Sequence, residues 1–80
     1  MDAEKRRIME NRVSVISIII EDADAAPGVN DLLHENRNYV IGRMGIPYKE
    51  RGVSIISVVM DAPSDKISSL AGKVGMLPGV

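Results

Sequence analysis

Two β-branched runs carry most of the pattern in this chain: Val13-Ser14-Val15-Ile16-Ser17-Ile18-Ile19-Ile20 and Val53-Ser54-Ile55-Ile56-Ser57-Val58-Val59-Met60. They nearly repeat each other, and each closes on acid before an Ala-Pro pair and a helix-like segment. In the first run Val13, Val15, Ser17 and Ile19 fall on one face and Ser14, Ile16, Ile18 and Ile20 on the other. Both faces are apolar, as expected of strands covered on two sides, not of strands with one wet face. The first strand is predicted over 12–21 and the third over 53–61.

Between them the period changes. Pro27 stands in the first turn of a predicted helix over 27–36, with Val29, Leu32 and Leu33 as its buried stripe. A second strand is predicted over 39–46, followed by a connection over 47–52 in which Gly52 suits a positive-φ position. A second helix starts after Pro63, with Ser64 or Asp65 as its cap and Ile67, Leu70, Val74 and Leu77 as its stripe. The order is β-α-β-β-α, and a fourth strand is just beginning at Val80. This is an α+β, ferredoxin-like βαββαβ sandwich with its last strand truncated or missing. The open edge of the first strand is then expected to be paired either by a continuation of the chain or by another chain. Residues 1–11 read as a charged leader and 12–80 as the domain.

Two helices cover only one face of such a sheet. The other would expose Val, Ile and Met in a patch of several hundred Å², the size that marks an interaction surface. A homo-oligomer, dimer or tetramer, with sheets packed face to face or joined at their edges is therefore expected.

Composition narrows the chemistry. With 80 residues the chain allows one domain, and with no cysteine it has neither disulfides nor thiolate metal ligands. A formal net charge of -1 argues against general binding to nucleic acid, and aliphatic central strands lack the aromatics that stack RNA bases. No signal peptide and no bilayer-length apolar run is present, so a cytoplasmic protein is the default, with no membrane partner. His34 alone makes no metal site. No nucleophile-base constellation or phosphate-cradling glycine loop occurs, which argues against catalysis.

The segment Gly42-Arg43-Met44-Gly45-Ile46-Pro47-Tyr48-Lys49 is the most unusual. Glycine inside a strand marks a bulge or a close approach, and Arg43 offers a planar fork to a carboxylate or phosphate. It could equally pair with a nearby acid on a bulged edge strand. The βαββαβ topology brings the turn after the first strand to the same end as the hairpin between strands 2 and 3. Glu21, Asp22 and Asp24 are thus expected near Lys49 and Arg51. Glu21, Asp22, Asp24, Arg43, Tyr48 and Lys49 are the candidate ligand contacts.

Arg12 to Asp22, Leu32-Leu33-His34-Glu35, the block Gly42 to Ile56 and the closing Leu77-Pro78-Gly79-Val80 together resemble a known family. It is that of the iron-only hydrogenase system regulators, small proteins similar to ACT domains and to the C-terminal domain of the nickel-responsive repressor. The resemblance covers about 9–80. It implies an oligomeric, non-enzymatic regulatory domain, and ACT-type relatives bind small molecules at subunit interfaces. It identifies no cofactor or ligand. Members continue past Leu-Pro-Gly-Val into a last strand. The repressor's cysteine and clustered histidines have no counterpart here, so nickel sensing does not carry over. Small-ligand sensing at a subunit interface is the expected function; a module docking a partner protein through its sheet face or open edge is the alternative.

Overall fold

The computed structural model describes residues 10–80; the proposed charged leader lies almost wholly outside them. Strand β1 runs Arg12–Ile20, helix α1 Ala26–Glu35, β2 Val40–Tyr48, β3 Val53–Ala62 and helix α2 Ser64–Gly75. The three strands form one antiparallel sheet in the order β1-β3-β2. That is the strand order of a ferredoxin-like fold lacking its last strand. The expected β-α-β-β-α sequence is thus present, with both helices on one face.

The register explains the two-faced strands. Ile16 and Ile18 stand opposite Val58 and Ile56, on the face that the helices cover. There Ile18, Ile20, Ile56, Val58 and Met60 are buried against Val29 and Leu33 of α1 and Leu70 and Val74 of α2. The two residues of each helix are four positions apart, which keeps them on one side of it. Each contributes roughly 1.5–3 kcal/mol through removal from water. Every buried residue of this core is hydrophobic.

Among the described residues the opposite face has no such cover. Val15, Ser17 and Ile19 pair with Val59, Ser57 and Ile55, while Met44, Ile46 and Tyr48 continue the same rows on β2 through Ser57, Ile55 and Val53. Val15 remains 61% exposed and Met44 59%.

Two local boundaries differ from the sequence expectation. Pro47 and Tyr48 belong to β2, not to the connection, because β2 is an edge strand, where a residue lacking an amide hydrogen is tolerated. The turn itself is a short 3-10 segment, Lys49–Arg51, closed by Gly52 at φ 67, the left-handed conformation expected of that glycine. At α2 the capping position is Pro63, and neither Ser64 nor Asp65 caps the helix.

The last residues turn back onto β1. Gly79 carbonyl oxygen accepts from the amides of Glu21 at 2.7 Å and Asp22 at 3.3 Å. Gly79 has φ 84, and a Cβ placed there would lie 2.5 Å from the Asp22 Cβ, so only glycine fits this closure.

Candidate functional site

The path of β2 decides which side chains meet. Val40 stands opposite Met60 on the helix side, but the register shifts between Val40 and Gly42, leaving Ile41 as the extra residue of a bulge. Beyond it Gly42 faces Val59 and Arg43 faces Val58. Without the bulge, the two-residue period from Val40 would turn Arg43 to the open face. With it, Arg43 points to the helix side, where its Nη2 donates to Asn30 Oδ1 of α1 at 3.0 Å. The partner of Arg43 is therefore an amide, not an acid. Gly42 stands at the bulge and Gly45 in regular register opposite Ile56, and neither marks a close approach within the subunit: a Cβ at either would meet nothing within 4 Å.

Tyr48 lies five positions on, and the strand period turns it to the other face, opposite Val53. There an open cleft of about 530 Å³ is lined by Ile19, Glu21, Tyr48, Arg51, Gly52, Val53 and Ile55. It has an aliphatic floor from β1 and β3, with a carboxylate, a guanidinium and a phenol among its lining. Glu21 and Arg51 meet here because the end of β1 and the β2–β3 turn share one end of the sheet, as the topology requires. Such a site suits a small amphipathic molecule with polar groups of either sign.

The remaining acids go elsewhere. Asp22 Oδ1 accepts from the Asp24 amide at 3.0 Å, a local turn of the kind aspartate favours. Both line a smaller cleft of about 280 Å³ with Ala25, Gly28, Leu77 and Pro78. Lys49 opens the exposed hairpin turn and lines none of these clefts. Of the six expected contacts, then, Glu21 and Tyr48 come together, Asp22 and Asp24 form a second pair, and Arg43 and Lys49 stand apart. His34 is exposed on α1. Among the described residues no three His, Asp or Glu side chains converge as a metal site would require.

The family model described as "TM1266-like: Iron-only hydrogenase system regulator, putative" matches residues 12–80. The chain belongs to this family. The TM1266 protein of Thermotoga maritima, a solved structure, is 32% identical and superposes with a TM-score of 0.83, over 88% of this chain and 89% of that one. No curated protein matches. As a TM1266-like chain, it falls in a family described by regulation and not by catalysis. No helix among the described residues is long and apolar enough to cross a membrane.

Proposed function

We propose that this TM1266-like chain is a non-enzymatic, oligomeric regulatory module of the iron-only hydrogenase system, and that it senses a small ligand at its open sheet face. The uncovered apolar face carries this reading. Strands of nine or ten residues at ~3.4 Å per residue, three abreast at ~4.8 Å, give a footprint of roughly 400 Å² before side-chain relief is counted. A patch of this size is as large as the largest on most monomers, and such patches are often functional. Its charges stand at the ends: Asp61, opposite Val13, at one, and Glu21 and Arg51 at the other. A second copy laid across it with strands reversed brings Asp61 of each subunit to the end that carries both Arg51 and Glu21 of its mate. That arrangement offers one Asp61–Arg51 pair at each end of a symmetric dimer, beside the like charge of Glu21.

The cleft of Ile19, Glu21, Tyr48 and Arg51 opens on this same face, so its ligand lies beside the second subunit and shifts the assembly by its differential affinity for the two states. A thermal-shift screen of amino acids, nucleotides and divalent metals is the test. At least one class raises the unfolding midpoint, and Tyr48→Ala with Arg51→Gln abolishes that rise. If nothing in the screen moves the midpoint, or the double variant responds like the parent, the cleft is not a sensing site.

A module docking another protein is the second reading, favoured by the outer edge of β1. Apart from the Gly79 closure at its end, that edge has no strand beside it among the described residues. Stable monomers that gain a strand partner only from another protein would support it over the first.

A further inference from the structure

The bulge in β2 has moved a guanidinium off the open face and under the end of α1. The cleft it enters, of about 340 Å³, is lined by Asn30, Leu33, His34, Arg37, Val40, Arg43 and Val58. Its polar lining is Asn30, His34 and two arginines, with no carboxylate. Among the described residues each arginine is steadied by one neutral acceptor: Arg43 by Asn30 Oδ1 at 3.0 Å, and Arg37 by the His34 carbonyl oxygen at 3.0 Å. A guanidinium has five donors in a fixed fork. One bond to a neutral oxygen orients it and leaves most of that fork available. The carbonyl end of α1 carries a partial negative charge, but a full charge on each of two arginines outweighs it.

We propose that this cleft is a second ligand site, distinct from the one on the open face, and that it takes a small molecule bearing a phosphate group. Two planar forks offer more donors than one carboxylate accepts, whereas a phosphate monoester presents three terminal oxygens, matching bidentate contact from one arginine and a further bond from the other. Asn30 holds Arg43 and can turn its amide NH2 to the same anion, while Leu33, Val40 and Val58 give the body of the ligand an apolar floor. A Cβ at Gly45, next to Arg43 on the same face of β2, would meet open space, so the approach along the strand is clear. The proposal does not depend on oligomerisation, because this cleft lies on the helix side of the sheet.

The test is a titration of the full chain with inorganic phosphate and with phenyl phosphate at constant ionic strength, followed by amide chemical shifts. Both are expected to perturb residues 30–37 and 42–44 at about millimolar concentration, the range for a small anion on two arginines. Tighter binding of phenyl phosphate identifies an organic phosphate as the ligand; equal binding identifies the free anion. The Arg37→Gln, Arg43→Gln double variant, whose substituted side chains are exposed and whose unfolding midpoint without ligand is expected to match the parent, weakens binding at least about tenfold. Tyr48→Ala leaves it unchanged. No shift change with either phosphate, or equal binding by the double variant, overturns the proposal.

Discussion

Introducing glutamate at both Val15 and Met44 is expected to abolish the proposed self-association and leave a folded monomer. The two side chains are 61% and 59% exposed in the single subunit, so replacing them disturbs little within it; surface changes of this kind usually alter stability by within about 0.5 kcal/mol. Between two packed sheets the same carboxylates would be stripped of water without a partner, which costs several kcal/mol each. The expected result is therefore a loss of association of at least about a hundredfold, with the circular dichroism spectrum retained. Association as strong as the parent's would mean that the open face is not the contact, and unfolding would mean that the face serves the subunit itself.

The second large effect lies on the other side of the sheet. Leu70 of α2 is 1% exposed and packs into the layer that includes Val58 and Met60. Leu70→Ala removes that contact and leaves a cavity, a change that costs about 2–5 kcal/mol. A chain of this length has about 4–12 kcal/mol of stability in all. The midpoint should fall by roughly 8–40 °C, measured by thermal unfolding at matched protein concentration because the proposed association would raise the midpoint. A drop of only a few degrees would show that α2 is not packed as described.

The fold was legible because each element carries its own period. The β-branched runs of β1 and β3, apolar on both faces, and the four-residue spacing of Val29 and Leu33 and of Leu70 and Val74 specify strands, helices and their order within a residue or two. The site was less legible, for reasons that lie in β2. Arg43 and Tyr48 are close in sequence, yet five positions along a strand place them on opposite faces. Parity alone would have separated them. It would not have said which face receives Arg43, because that depends on the extra residue Ile41 and so on pairing with β3. The contacts of Arg43 with Asn30, and the nearness of Arg37, arise only once α1 is laid across the sheet. Asp22 and Asp24 were separated from Glu21 by a turn built from their own hydrogen bond, a local device that the spacing Asp-x-Asp already hints at.

What unites these features is the claim that the helix-free face is an interface between copies of this chain. Sedimentation velocity of the purified full-length chain across a wide concentration range tests it most directly. A dimer or tetramer is expected at micromolar concentration, dissociating on dilution or on introducing charge at Val15 and Met44. A monomer at every concentration would contradict it, and would leave the apolar rows of β1, β2 and β3 without the partner that explains them.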